Sequence, residues 1–319
     1  MQPLTFEPIL KRIRWGGTRL GSVLQKPIGS ETDYAESWEI ADHGDDQSIV
    51  AGGSLASQSL GELVRTENEK LFGSQAGMEQ FPLLIKFLDA NDWLSLQVHP
   101  NDEQAKTYDA DENGKTEAWV ILDAEPGSKL CVGLKDGITK DDFKAHLDAG
   151  TIEEALHIFE VNAGDCVFVP AGTVHAIGSG VLLAEVQQQS DLTFRIHDWG
   201  RMGSDGKPRQ LHIDQSLACI DFERGPVNPV TPKSISATQE ELVREGYFVI
   251  ERHQTNSPFS ISTDNKFRIL MLLQGETNIK AGEHEQMLSL GGTLLVPACT
   301  NEVFVEPMGS VTMLEVSVP

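Results

Sequence analysis

The sequence predicts a mainly β fold of two related β-barrels with a short helical insert. Its 29 glycines and 15 prolines interrupt many short apolar runs, which is typical of short strands joined by turns. The chain also contains an internal repeat, because segment 291–298 resembles segment 164–171 at an offset of 127 residues. At this offset Glu302 takes the position of His175. The second copy therefore keeps the strand and the turn but not the histidine.

The elements of the first part of the chain follow from local patterns. Residues 36–40 alternate between polar and apolar side chains, as a half-buried strand does. Ser59 is suited to cap a helix that begins at Leu60. The apolar run 81–88 predicts a buried strand that carries one lysine, Lys86.

Two further strands carry polar side chains. Residues 94–99 alternate and end at a Pro-Asn-Asp turn, so Gln97 and His99 are expected to share one face. The next strand, 115–122, carries Glu117 near its start.

A helical insert interrupts the strands. Thr139 is expected to cap a helical segment over 139–158, whose apolar stripe is broken at Gly150. Strands resume between 161 and 198, and a short helix is predicted within 209–224.

The domain boundaries follow from these elements and from a proline-rich stretch at 225–232. We predict a first domain over 1–224, a linker over 225–245, and a second β domain over 246–319.

The charge and composition exclude several partners. The formal net charge of −23 disfavours nucleic acid and anionic membranes, because both require a basic surface. No run approaches the ~20 apolar residues of a membrane span, and the first residues do not resemble a signal peptide. The four cysteines are scattered and form no metal or redox spacing. We expect a cytoplasmic protein and make no prediction of its oligomeric state.

The segment 169–175 predicts a metal ligand. A short strand stops at a Pro-Ala-Gly turn, where proline removes a ladder donor and glycine permits positive φ, so the chain bends and aims His175 inward. His99 and Glu117 complete a set of two imidazoles and one carboxylate, which is typical of a catalytic metal centre with open positions. This set suits zinc and non-haem iron alike. Gln97 is a possible fourth ligand and favours a redox-inert ion.

Four stretches of the chain resemble one family. They are LQVHPND (96–102), GKTEAW (114–119), VPAGTVHA (169–176) and SDLTFR (190–195). In this order they are similar to the type I phosphomannose isomerases (mannose-6-phosphate isomerases), in particular to the shorter bacterial form. The resemblance covers most of the chain from Phe6 onwards. The long helical domain of the larger members is replaced here by the short insert.

The resemblance implies a zinc-dependent enzyme made of two cupin-like (jelly-roll) barrels, with one Zn²⁺ per chain. The first domain would be the catalytic one, interconverting mannose 6-phosphate and fructose 6-phosphate through an enediol. By motif position, the zinc ligands are Gln97, His99, Glu117 and His175. The resemblance also implies that Arg195 lies in the active site, Lys115 is an acid–base group, and Lys86 lies near the phosphate. Asp191, four residues before Arg195, is expected to bind in the substrate site by orienting that arginine.

Two alternatives remain open at this stage. One is a cupin dioxygenase that uses His99, Glu117 and His175 to hold iron. Gln97 as a fourth ligand and a set of basic residues disfavour it. The other is a non-catalytic cupin that binds a sugar phosphate, which has no need of an acid–base lysine such as Lys115.

Overall fold

The computed structural model describes residues 1–202 and 206–319, and its architecture is mainly β. Up to residue 200 the strands are β1 (Phe6–Glu7), β2 (Ile9–Gly17), β3 (Tyr34–Ile40), β4 (Asp42–His43), β5 (Asp46–Gln47), β6 (Ile49–Val50), β7 (Leu83–Ala90), β8 (Leu96–Val98), β9 (Glu117–Ala124), β10 (Lys129–Leu134), β11 (Leu156–Glu160), β12 (Cys166–Val169), β13 (His175–Ile177), β14 (Val181–Gln188) and β15 (Phe194–His197).

The later strands are β16 (Lys233–Ser234), β17 (Gln239–Arg244), β18 (Val249–Thr255), β19 (Phe259–Ser262), β20 (Arg268–Gln274), β21 (Glu276–Ala281), β22 (His284–Ser289), β23 (Thr293–Val296), β24 (Glu302–Pro307) and β25 (Val311–Ser317).

The helices are short. They are α1 (Arg19–Ser22), α2 (Leu60–Thr66), α3 (Asn68–Phe72), α4 (Asp102–Tyr108), α5 (Lys140–Ala149) and α6 (Ile213–Cys219), with 3₁₀ turns at Gly53–Leu55, Gly73–Gln75, Ile152–Ala155 and Ala298–Thr300. Among the described residues, no helix has the length and apolar character needed to cross a bilayer.

Most of the predicted elements are confirmed. The strands predicted at 36–40, 81–88, 94–99 and 115–122 correspond to β3, β7, β8 and β9, whose ends differ from the prediction by a few residues. The cap of α2 is also as predicted, because the Ser59 hydroxyl accepts from the backbone N–H of Glu62 and the Glu62 carboxylate accepts from the backbone N–H of Ser59.

The helical insert is shorter than predicted. Thr139 caps α5 together with Asp142, as expected, and the helix ends at Gly150, whose φ of 70° is left-handed. The prediction of helix up to residue 158 was wrong at its end, because β11 begins at Leu156 and pairs with β10. The apolar residues at that end therefore belong to a sheet.

The chain divides into two compact units. The first unit contains Met1–Lys11, Thr18–Phe87 and Val230–Pro319, and the second contains Arg12–Gly17 and Leu88–Pro229. Strands β16 and β17 lie within the segment predicted as a linker and belong to a six-stranded sheet. The domain boundaries at 224 and 245 stay a prediction.

In the second unit a five-stranded antiparallel sheet has the order β11-β10-β13-β8-β15. A buried apolar cluster joins this sheet to α5 and α6, and it includes Leu96 and Val98 of β8. Side chains alternate along a strand, so Gln97 points to the opposite face of the sheet. Strands β12, β9 and β14 are also antiparallel neighbours in that order.

In the first unit a six-stranded sheet has the order β16-β17-β18-β25-β20-β23, and a four-stranded sheet has the order β19-β24-β21-β22. One buried apolar cluster contains side chains from both sheets, among them Leu270, Val305 and Met313. The two sheets therefore share a core, as the layers of a β-sandwich do.

The internal repeat is confirmed at the level of strands. Strands β12 and β23 begin and end at the same offset of 127 residues, and so do the starts of β13 and β24. The strand orders match as well: β12-β9-β14 corresponds to β23-β20-β25, and β11-β10-β13-β8 to β22-β21-β24-β19. No sheet of the described residues closes on itself, so the mainly β class is confirmed but the pair of barrels is not.

Candidate metal centre

Three of the predicted ligands converge in the second unit. His99, Glu117 and His175 are each about 1% exposed, and each has a ligand atom within 4.8 Å of the others. The Nε2 atom of His99 lies 3.5 Å from Oε2 of Glu117, and that of His175 lies 3.4 Å from Oε1. Each carboxylate oxygen thus faces one imidazole.

Strand register brings these side chains together. Val169, the last residue of β12, pairs with Glu117 at the start of β9, and His175 at the start of β13 pairs with Gln97 of β8. The turn between β12 and β13 requires Gly172, whose φ is 84°. Its backbone N–H donates to the carbonyl of His99 at 2.8 Å, which ties the turn to the neighbouring ligand.

The two imidazoles are oriented by backbone carbonyls. Nδ1 of His175 lies 2.8 Å from the carbonyl oxygen of Thr173, and Nδ1 of His99 lies 3.0 Å from that of Leu192. A carbonyl can only accept, so each Nδ1 carries a hydrogen, and Nε2 of a neutral ring keeps its lone pair. Burial lowers the pKa of His175 to about 4, so this ring is neutral at pH 7.

Gln97 and Lys115 complete the cluster. Nε2 of Gln97 lies 3.2 Å from Nε2 of His175, so the Gln97 amide reaches the same point. The Lys115 ammonium donates to Nε2 of His99 at 3.1 Å and to Oε2 of Glu117 at 2.5 Å. Imidazole lone pairs and a carboxylate that converge in a buried space favour a cation there, and the Lys115 ammonium meets part of that demand.

The donor set fits a divalent metal ion. Two imidazoles and one carboxylate are ligands that zinc and other first-row divalent ions accept. The Gln97 amide presents its Nε2 to His175 and adds its oxygen to the set only after rotation of the amide. The backbone carbonyls behind both imidazoles are the outer partners that such ligands usually have.

Arg195 lies beside this cluster. On β15 it pairs directly with Gln97, and residues directly opposite on antiparallel strands point to the same face. Its Nη1 donates to the carbonyl of Gln210 at 3.0 Å, and its Nε is buried with no hydrogen-bond partner in the part of the chain that the structure describes. Burial lowers the pKa of the Arg195 guanidinium, Arg209 and Arg201 lower it further, and Asp198 opposes them.

Asp191 does not have the predicted contact. It is exposed, and within residues 1–202 and 206–319 no hydrogen bond or ion pair joins its carboxylate to Arg195. The carboxylate that acts on Arg195 is Asp198, which follows the end of β15. The prediction that Asp191 orients this arginine was therefore wrong, and its place in substrate binding stays a prediction.

A cluster around Asp198 was missed at the level of sequence. Its carboxylate accepts from Nη2 of Arg201 at 2.6 Å and from Nε of Arg209 at 2.7 Å. Burial alone would raise the pKa of Asp198, but these two hydrogen bonds bring it below its usual value. The signal was the density of basic residues between 195 and 209 in an otherwise acidic chain.

Lys86 belongs to the first unit. It is buried on β7, its Nζ lies 3.4 Å from Oε2 of Glu36, and it sits 4.7 Å from the centroid of the Trp38 ring. Its role near a phosphate stays a prediction.

The fold and the donor set define a mainly β protein with a buried His–carboxylate cluster that could hold a metal ion. Residues 4–126 match the model of the family "Phosphomannose isomerase type I, catalytic domain", and residues 238–316 match "Mannose-6-phosphate isomerase, cupin domain". His175 and Arg195 lie between the two matched ranges.

Relatives and solved structures agree with these matches. The chain is 35% identical to mannose-6-phosphate isomerase ManA of Bacillus subtilis over 93% of both chains, and 34% identical to the Streptococcus mutans enzyme over 93% of this chain and 92% of that one. The crystal structure of the Bacillus subtilis isomerase superposes with a TM-score of 0.91, at 28% identity over 99% of each chain. The chain therefore belongs to the type I phosphomannose isomerase family, as the four motifs predicted.

Proposed function

We propose that this protein is a metal-dependent aldose–ketose isomerase that interconverts mannose 6-phosphate and fructose 6-phosphate. One observation carries the proposal: three residues that match the family motifs converge on one buried point. The ligand atoms of His99, Glu117 and His175 all lie within 4.8 Å of one another. The relatives above are named mannose-6-phosphate isomerases, and sequence similarity to them is the reason for proposing the same activity here.

The metal is proposed to be one Zn²⁺ per chain, held by Gln97, His99, Glu117 and His175. Zinc is redox-inert, and when bound it supplies Lewis acidity toward the sugar oxygens. The neutral His175 ring and the carbonyl-oriented His99 ring support this assignment, because a metal takes the deprotonated nitrogen of imidazole.

Lys115 is proposed to move the proton between C2 and C1. The base removes the C2 proton of the aldose while O1 gains a proton, so an enediol forms. The proton then returns to C1 while O2 loses its proton, which gives the ketose. The support is that Lys115 is buried within hydrogen-bond distance of two of the proposed ligands, His99 and Glu117.

Arg195 is proposed to stabilise negative charge on the enediolate oxygen. Its guanidinium stays protonated and shares a face with Gln97 beside the cluster. Its Nε has no hydrogen-bond partner among the described residues, so the donor capacity of this side chain is not exhausted.

The phosphate is proposed to bind near the Arg195, Arg201 and Arg209 side chains. Three guanidinium groups around one carboxylate, Asp198, leave local positive charge in a chain whose net charge is −23. Lys86 and Asp191 are kept as further substrate contacts. The support for Lys86 is its motif position, and that for Asp191 is its place four residues before Arg195. We also propose that the sheets of the two units are those of two cupin-like jelly rolls.

Conversion of mannose 6-phosphate by the purified protein tests the proposal. Fructose 6-phosphate is expected to form, to stop forming after removal of the metal by a chelator, and to form again after addition of Zn²⁺. His175→Ala is expected to lower kcat/KM by at least about 10³-fold, since several kcal/mol of charge stabilisation depend on the bound ion.

His146→Ala is the matched control, because His146 lies on α5 and its Nδ1 bonds to the Thr151 hydroxyl instead. It is expected to change kcat/KM by less than about twofold. Full activity of His175→Ala, or of the chelated protein, would contradict the proposed metal site.

A further inference from the structure

A second His–carboxylate cluster lies in the first unit, on a strand pair that the isomerase site does not use. Glu251 and His253 are on β18 and Glu315 is on β25, and each has a ligand atom within 4.8 Å of the others. Glu251 pairs directly with Glu315, and His253 pairs with Met313. All four side chains therefore share one face of the sheet.

This face is the interior face of the sandwich. Met313 and Val311 of β25 belong to the buried apolar core, and Glu315 continues the same row of side chains. The row changes from apolar to charged at Glu315, where packing alone favours another apolar residue. Two carboxylates that stand directly opposite each other repel, so Glu251 and Glu315 are stabilised by positive charge between them.

Each member of the cluster is oriented from outside. Nε2 of Gln239 donates to Oε2 of Glu251 at 2.7 Å, and Nε of Arg268 donates to Oε1 of Glu315 at 3.0 Å. The His253 ring stacks on Phe259 with centroids 4.8 Å apart. Outer donors that hold one oxygen of a carboxylate and fix its direction are typical of metal sites.

The distances and the space around the cluster suit an ion. Nε2 of His253 lies 2.9 Å from Oε2 of Glu315. Two ligand atoms about 2.1 Å from one ion, at right angles to each other, are about 3 Å apart. A cavity of about 430 Å³ opens on all three residues, and its lining is mostly polar, so water can fill the remaining coordination positions.

We propose that Glu251, His253 and Glu315 bind a second divalent transition-metal ion. Two carboxylates and one imidazole suit Mn²⁺, Fe²⁺ or Zn²⁺. The ion cross-links β18 to β25 and takes no part in the isomerisation. The competing arrangement is a network of ion pairs alone, in which Arg268 and the exposed Arg244, 3.6 Å from Glu251, supply all of the positive charge.

Metal content decides between the two. Full-length protein is stripped with a chelator, dialysed against Mn²⁺ or against Zn²⁺, desalted, and analysed for metal per chain by mass spectrometry. Compared with the unchanged protein, His253→Gln is expected to contain one metal ion fewer per chain. Its isomerase activity is expected to differ from that of the unchanged protein by less than about twofold. The result is the difference in metal content between the variant and the unchanged protein. It therefore tests the second site independently of the proposed isomerase centre.

A second variant and a control complete the test. Glu251→Gln preserves size and an acceptor for Gln239, and it is expected to lose the same ion, so it decides the question if His253→Gln does not fold. His284→Gln is the control, because His284 lies on β22 and bonds to Gln286. Unchanged metal content in the folded His253 and Glu251 variants, or an equal loss in His284→Gln, would overturn the proposal in favour of the ion-pair network.

Discussion

The two copies of the internal repeat have the same strand register but different side chains at the same points. In the first copy Val169 pairs with Glu117, and His175 pairs with Gln97. The corresponding pairs in the second copy are Val296 with Arg268, and Glu302 with Ser262. By position, Arg268 thus corresponds to Glu117.

The other positions of the second copy also differ from the first. Asp264, two residues after Ser262, takes the position of His99. Arg268 and Asp264 form an ion pair at 3.4 Å, and the Ser262 hydroxyl donates to Asp264 at 2.7 Å. A guanidinium and a carboxylate satisfy each other in this copy, whereas the imidazole lone pairs and the carboxylate of the first copy face one another and favour a cation between them.

Burial separates the two copies further. His99 and Glu117 are about 1% exposed, while the side chain of Asp264 is 74% exposed. Because the Asp264 side of this ion pair is open to water, screening keeps the contribution of the pair to stability small. The comparison teaches that a few side chains at strand ends decide whether the same β framework presents converging donor atoms or a partly solvated ion pair.

The largest effect on activity is expected when Glu117 of the first copy is replaced by arginine, the residue found at the corresponding position of the second copy. Glu117→Arg places a second positive charge beside Lys115 and removes the carboxylate between the imidazoles. We expect loss of the bound metal and a fall in kcat/KM of at least about 10³-fold. Isomerase assays and metal analysis measure both.

The control for that change is Glu125→Arg, since Glu125 is exposed just beyond the end of β9. It is expected to retain metal and activity. A Glu117→Arg protein that still binds one ion with full affinity would show that the cluster is not the metal centre.

A smaller effect is expected when the cation of the second copy is removed. Arg268→Leu leaves the Glu315 carboxylate, whose side chain is 12% exposed, without its guanidinium partner. We expect the free energy of unfolding to fall by about 2–3 kcal/mol, because a mostly buried charge loses its partner. Urea denaturation at pH 7 measures this, and activity per folded molecule is expected to be unchanged.

Arg244→Leu provides the matched comparison, since the Arg244 side chain, which bonds to Glu241, is 56% exposed. Its loss is expected to cost no more than about 0.5 kcal/mol. Equal losses of stability in the two variants would refute the difference in burial on which the prediction rests.

The smallest effect is expected when a histidine is restored to the second copy. Glu302→His puts an imidazole at the position of His175, but Ser262, Asp264 and Arg268 still occupy the other three. We expect no gain in metal content and a stability change within about 0.5 kcal/mol. An additional bound ion in this variant would mean that one histidine is enough to make the site.

Much of the fold and of the metal cluster could be predicted from local patterns. Alternation and turn residues located β8, β9 and β12, and the bend after Val169 predicted the direction of His175. These features depend on neighbours in sequence, so a pattern carries them. The arginines around Asp198 were missed because nothing in their spacing indicates that Arg201 and Arg209 meet one carboxylate.

The pairing of Asp191 with Arg195 failed for a similar reason. A separation of four residues brings side chains together on a helix, but this segment is a loop that leads into β15. The cluster of Glu251, His253 and Glu315 was also beyond sequence reasoning, because strand pairing brings together residues 62 positions apart, as in His253 and Glu315.

By itself the sequence determined the β class, the repeat and the caps of α2 and α5, and it singled out His99, Glu117 and His175 as candidate ligands. Each of these depends on the chemistry of a residue and its near neighbours along the chain. Only the tertiary structure decided that His99, Glu117 and His175 converge, that Asp198 is the partner of the arginines, and that the second copy contains an ion pair at the equivalent point. Those outcomes depend on register between distant strands and on burial, which sets whether opposite charges are screened by water or must be satisfied within the protein.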